Sequence, residues 1–164
     1  MTFSNLQVLA QMWKHKCLTR RAPFVLLLLF SPLLAAAQSG VDAKVSTQAA
    51  GLYSEGMQAL QRGDLISARS SFEKVVRLAP RSPEGHNSLG WVLLAEGEID
   101  SAISQFRTAL RLNPGFVQAH INLSNAFSRK GDAEAAVREA REAVRLAPQD
   151  SEAHRTLGRA LGFR

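Results

Sequence analysis

Residues 83–116 read PEGHNSLGWVLLAEGEIDSAISQFRTALRLNPGF, and the same skeleton returns on either side of them at an interval of 34. Pro80, Pro114 and Pro148 keep that interval, and so do Gly63, Gly97 and Gly131. It also links Ala68, Ala102 and Ala136, then Leu78, Leu112 and Leu146, then Leu89, Leu123 and Leu157. Independent sets of residues on one period mark an internal repeat, in which each unit buries its apolar face only by stacking on its neighbours.

Each unit reads as two helices and a turn. In the central unit Ser82 is expected as the N-cap and Pro83 as the first helical residue, where a missing N–H costs nothing. The first helix runs over 84–96 and Gly97 ends it. The second covers 99–112, with Ile103, Phe106, Ala109 and Leu110 at helical spacing. It stops before Asn113-Pro114, because the residue preceding proline is pushed out of the helical region. Asp64 and Asp132 stand where the second helices of the outer units begin, suited to capping a positive helix end.

With units counted from Ala49, Pro83, Val117 and Ser151, position 8 holds Gly56, Gly90, Ser124 and Gly158. Position 20 holds Ala68, Ala102 and Ala136, and position 24 holds Phe72 and Phe106. This pattern resembles the tetratricopeptide repeat, which places small residues at 8 and 20, a large one at 24 and proline at 32. The resemblance implies an all-α fold, a right-handed solenoid of helix-turn-helix repeats, with units 49–82, 83–116 and 117–150 and a capping helix over 151–162. In the last helix His154, Leu157 and Leu161 are expected on the covered face, with Arg155 and Arg159 outward. The third unit departs from the pattern at Ala140, so either looser packing or compensation by a neighbour is expected there.

The resemblance further implies a concave surface lined by positions 2, 5, 9, 12 and 13 of the first helices. Those positions give Tyr53, Met57, Asn87, Trp91, Ile121, Asn125 and Arg129 as a partner-binding groove, with Arg155, Arg159 and Phe163 toward the far end. Tryptophan and tyrosine carry much of the energy at protein interfaces, which singles out Trp91. The other reading, that Trp91 packs into a neighbouring helix, stays open. Related chaperone-docking repeats hold a terminal carboxylate with lysine and arginine at positions 2 and 6 of the third unit, helped by lysine and asparagine in the first. Here those places hold Gln118 and Asn122, and Tyr53 and Met57, so that clamp is not expected. A mixed apolar and amide groove favours an extended or helical segment with apolar side chains.

Ahead of the repeats, Lys14, Lys16, Arg20 and Arg21 precede the apolar block PFVLLLLFSPLLAAA over Pro23–Ala37. A positive stretch, an apolar stretch and small residues form a secretory signal. Cleavage after Ala37 is expected, with 38–48 as a short linker and an exported product, periplasmic or secreted. The alternative is an uncleaved membrane anchor over 23–37, although a spanning helix needs about 20 apolar residues. A start at Met12 instead of Met1 gives a leader of ordinary length. Of the 20 basic side chains four lie in this leader, which has no acidic residue, so 16 remain against 14 acidic ones and a nucleic-acid partner is not expected. The one cysteine, Cys17, also lies there, which excludes a disulfide framework from the repeats.

Neither a phosphate loop nor HExxH nor GxSxG occurs, and no cofactor is expected. His86, His120 and His154 recur at position 4, but equivalent positions on stacked helices stand roughly 8–10 Å apart while zinc–nitrogen bonds are about 2 Å. They read as packing residues. Glu134, Glu139 and Glu142 beside Arg138, Arg141 and Arg145 read as surface pairs at helical spacing. The expected function is an exported, non-enzymatic scaffold that binds another protein or peptide and assists assembly of an envelope complex. The alternative is a structural subunit that self-associates as a homo-oligomer through its own helices.

Overall fold

The computed structural model describes residues 44–162, all of them in helices or the short turns between helices. The expected leader 1–37, residues 38–43 of the expected linker and Phe163 lie outside these. The first helix, α1, already runs from residue 44 to 61, ahead of the expected start at Ala49. No proline or glycine interrupts Val45 to Gln48, so nothing in that stretch stops the helix. There follow α2 (Leu65–Leu78), α3 (Pro83–Glu96), α4 (Ile99–Leu112), α5 (Val117–Lys130), α6 (Ala133–Leu146) and α7 (Ser151–Gly162). Among the described residues there is no strand, and no helix is long and apolar enough to cross a membrane.

Helix ends follow local chemistry. The Ser82 hydroxyl accepts from the Gly85 N–H at 3.0 Å, and Asp64 and Asp132 accept from Ser67 N–H and Ala135 N–H, each at 3.0 Å. Gly97 and Gly131 leave their helices at φ of 89° and 85°, a left-handed conformation that only glycine adopts without strain, and their N–H groups close the last turns.

Units stack so that each second helix lies between its own first helix and the next one, and successive first helices run side by side. The small residues at position 8 set the approach within a unit. A Cβ on Gly56 would stand 2.8 Å from Cε1 of Phe72, and one on Gly90 only 2.7 Å from Cε1 of Phe106. Both phenylalanine rings are fully buried, as are Ala68 and Ala102. In the third unit the sizes are exchanged. Ser124 replaces glycine and Ala140 replaces phenylalanine, and the buried Ser124 hydroxyl donates to the Ala136 carbonyl at 2.8 Å. Ala140 stays fully buried, and where the sibling units pair glycine with a ring this one pairs a hydroxyl with a methyl group.

Candidate interaction surface

The first helices present one side to their own unit and another to their neighbours, and the seam between neighbours decides which side chains stay free. Position 5 of one unit meets position 6 of the next. The Tyr53 hydroxyl lies 3.0 Å from the Ser88 hydroxyl, and Asn122 Nδ2 donates to Asn87 Oδ1 at 3.0 Å. In the third seam Ile121 and Thr156 hold the corresponding places, both about 1% exposed, with Ile121 packed among Ala143, Ala153, Val117 and Val144. Ile121 therefore has no surface to offer, contrary to the expectation that it lines a groove. Asn87 is likewise buried and its amide is committed across the seam. Tyr53 is half-buried, its ring packed edge-on against Phe72 at 5.5 Å.

What remains accessible is the row at position 9. Met57 is 39% exposed and Trp91 44% exposed; Asn125 is half-buried and Arg159 exposed. Trp91 thus does not bury itself in a neighbouring helix. Arg159 donates to Asn125 Oδ1 at 3.0 Å, which ties the polar end of the row together. Arg129, at position 13, donates to the Leu94 carbonyl near the end of α3, which also accepts the Gly97 N–H that closes that helix. The row is apolar at Met57 and Trp91 and turns amide-rich and cationic toward Asn125 and Arg159.

The position-4 histidines are hydrogen-bonded clasps between units. His86, His120 and His154 each place Nε2 against the carbonyl of the proline six residues earlier, Pro80, Pro114 and Pro148, at 3.1, 3.1 and 2.9 Å. The other nitrogen of His86 lies 2.7 Å from Gln105 Oε1, and that of His120 lies 2.8 Å from Glu139 Oε2. Glu139 is thus not one of the surface decorations its spacing suggests, whereas Glu142 does pair on the surface with Arg145, at 2.5 Å. The recurrence of proline and histidine six residues apart was the signal for this clasp. Among the described residues no cluster of possible ligands is placed to hold a metal ion.

Burial pulls the His120 pKa down, but the Glu139 carboxylate, the Pro114 carbonyl and the nearby Glu142 outweigh it, and the net shift is upward. Protonation and folding therefore favour each other. The stability this contributes is complete below about pH 6.5, the ordinary histidine value, and is lost as pH climbs through the raised folded value. Melting temperature is expected to fall over that climb, and Glu139→Gln is expected to remove most of the fall. An unchanged slope in the variant would assign the dependence to another group.

Stacked helix pairs with a free first-helix face define a helical-repeat protein. The tetratricopeptide repeat family profile matches residues 53–115, 89–151 and 121–161, and the chain belongs to that family. No curated protein matches it. Among solved structures, the first TPR of Spaghetti (RPAP3) bound to the HSP90 peptide SRMEEVD superposes with a TM-score of 0.68 at 20% identity, covering 71% of this chain and 93% of that one. The TPR2B domain of yeast Sti1, in a pHsp70 complex, gives 0.68 at 19% identity over 72% and 99% of the two chains. A mutant O-GlcNAc transferase of Thermobaculum terrenum gives 0.69 at 27% identity over 71% of this chain, which spans 22% of that enzyme.

Proposed function

We propose that this chain is an exported interaction module that holds a segment of a partner protein against its first helices, as a step in assembling an envelope complex. The observation that carries the reading is Trp91, a large aromatic left 44% exposed in the middle of the row, with Met57 beside it in the preceding unit. Such rings bury much area at low entropic cost, and a partner that covers Trp91 recovers that area from water. Asn125, Arg129 and Arg159 supply hydrogen bonds at the polar end, so a segment with apolar side chains followed by acceptor groups fits best. Two structural relatives bear peptide or chaperone partners in their own complexes, which is in keeping with a binding role. Export rests on the leader Pro23–Ala37 and its basic flank.

The experiment uses the native full-length gene product, recovered from its cell envelope and sequenced at its first residue, where Gln38 is expected. Partners that co-purify with it are compared between wild type and Trp91→Ala. Because Trp91 is half solvent-facing, the variant is expected to keep its helicity and melting temperature while affinity for the principal partner drops about tenfold. Equal capture by a folded variant would reject the reading.

A further inference from the structure

The polar end of the position-9 row carries positive charge that the chain leaves unanswered. Asn125 and Arg129 stand one turn apart on α5, and Arg159 reaches Asn125 from α7. Helix α5 has no aspartate or glutamate along its whole length. Arg129 is exposed, and among the described residues it donates to the Leu94 carbonyl and pairs with no carboxylate. Lys130 beside it is already taken by Asp100, at 2.6 Å. Arg159 donates to Asn125 Oδ1 at 3.0 Å and to the Thr156 hydroxyl at 3.1 Å, and its nearest acid, Glu152 at 3.7 Å, is also held by Arg155. The acids of α3 are engaged elsewhere, Glu96 by Arg69 at 2.8 Å and Glu84 at the Ser82 cap, 3.1 Å from its hydroxyl. This end of the first-helix face therefore sets three guanidinium groups against the one carboxylate of Glu152.

The spacing of the row selects the conformation of what lies on it. Successive first helices run side by side, so Met57, Trp91 and Asn125 follow one another at a helix-packing distance, roughly 8–10 Å. A β-strand returns to one face every second residue, at about 7 and then about 13 Å, and misses that interval. An α-helix returns after seven residues, about 10 Å, but it is roughly 10–12 Å wide. The seam residues Asn87 and Ile121 beside the row are buried and give such a width no second line of contacts. A polyproline-II segment turns once every three residues and rises about 9 Å in doing so, and its backbone stays solvated without pairing. It matches both the interval and the single file of accessible side chains.

We infer that the row takes a polyproline-II segment of a partner protein with two apolar residues three apart and an acidic side chain three further on. The first apolar residue lies over Met57 and the second over Trp91, and the acid sits among Asn125, Arg129 and Arg159. This inference rests on the reading of that row as the binding surface, and it adds the conformation, the spacing and the charge of the segment. Oδ1 of Asn125 is occupied by Arg159, which leaves its Nδ2 to donate, so three donors of two residue types converge on one carboxylate.

The probe is a dye-labelled, C-terminally amidated peptide, Leu-Pro-Pro-Phe-Pro-Pro-Glu-Pro, added to the full-length protein and followed by fluorescence anisotropy. Proline holds itself and the residue before it in the required conformation, and the glutamate is the only carboxylate present. Saturable binding is expected. Glutamine in place of the glutamate is expected to weaken it about fivefold, with the gap narrowing as salt is raised. A peptide of the same composition with the glutamate one residue nearer the phenylalanine is expected to bind no better than the glutamine peptide, because one residue turns the acid about 120° off the face. In the protein, Arg159→Gln is expected to keep the melting temperature and to lose the preference for glutamate over glutamine, and Arg129→Gln to reduce that preference as well. Trp91→Ala weakens both peptides alike. Equal affinity for the glutamate and glutamine peptides, preference for the shifted acid, or absence of saturable binding overturns the inference. So does a glutamate preference that survives in both arginine variants, which would place the acid elsewhere on the surface. The reading beneath it fails separately, by unchanged capture of the native partner in Trp91→Ala.

Discussion

Phe106→Ala is expected to cost about 3–5 kcal/mol of stability, read as a lowered urea midpoint in circular dichroism. The ring is fully buried and lies directly against Gly90, so its removal leaves a space that no side chain can collapse into. The third unit shows how such a space is refilled. Ser124 opposite Ala140 does so with a hydroxyl bonded to the position-20 carbonyl of Ala136. Adding Gly90→Ser to Phe106→Ala is therefore expected to recover part of the loss, with the new hydroxyl reaching the Ala102 carbonyl. Gly90→Ala in the same background should recover less, because it brings volume without the hydrogen bond. Equal stability of the two double variants would show that the exchange of sizes, and not the bond, matters.

Gly90→Ala on its own sets two effects against each other. Alanine gains about 1 kcal/mol over glycine in a helix, while the added methyl would sit 2.7 Å from Cε1 and 2.8 Å from Cδ1 of Phe106. A ring locked on all sides cannot swing away, and overpacking of this kind costs about 1–3 kcal/mol. The clash is expected to win, giving a net loss and a lower urea midpoint. The opposite sign would mean that the α3–α4 pair slides apart at little cost, and it would remove the argument that position 8 sets the helix approach.

Much of the architecture could be read from composition and interval. Glycine, alanine and proline recurring every 34 residues located the turns, the close contacts and the ends of helices, and the caps Asp64, Ser82 and Asp132 announced themselves by type and place. These features are local, and local chemistry is what a sequence displays. The interaction surface was less legible. Asn87 and Ile121 share a helical face with Trp91 and Asn125 by spacing alone, yet they lie in the seam between neighbouring first helices. How far one helix overlaps the next is a property of the stack, and no periodicity within a single helix carries it. Glu139 misled for a similar reason. Its spacing from Arg138, Arg141 and Arg145 fits a solvated stripe, and only the placement of α5 brings His120 within reach of it. Leu161 was expected to be covered and is 43% exposed, because the cover for position 11 comes from the second helix of the same unit, and among the described residues no such helix follows α7.

The guanidinium of Arg129 ends on a backbone oxygen of the preceding unit, at Leu94. One N–H of that fork makes the tie and the guanidinium carries four more, so an acidic group arriving on the inner row meets a cation already held in place between two successive units. The bond that joins the two units thereby also fixes the direction in which the remaining donors point.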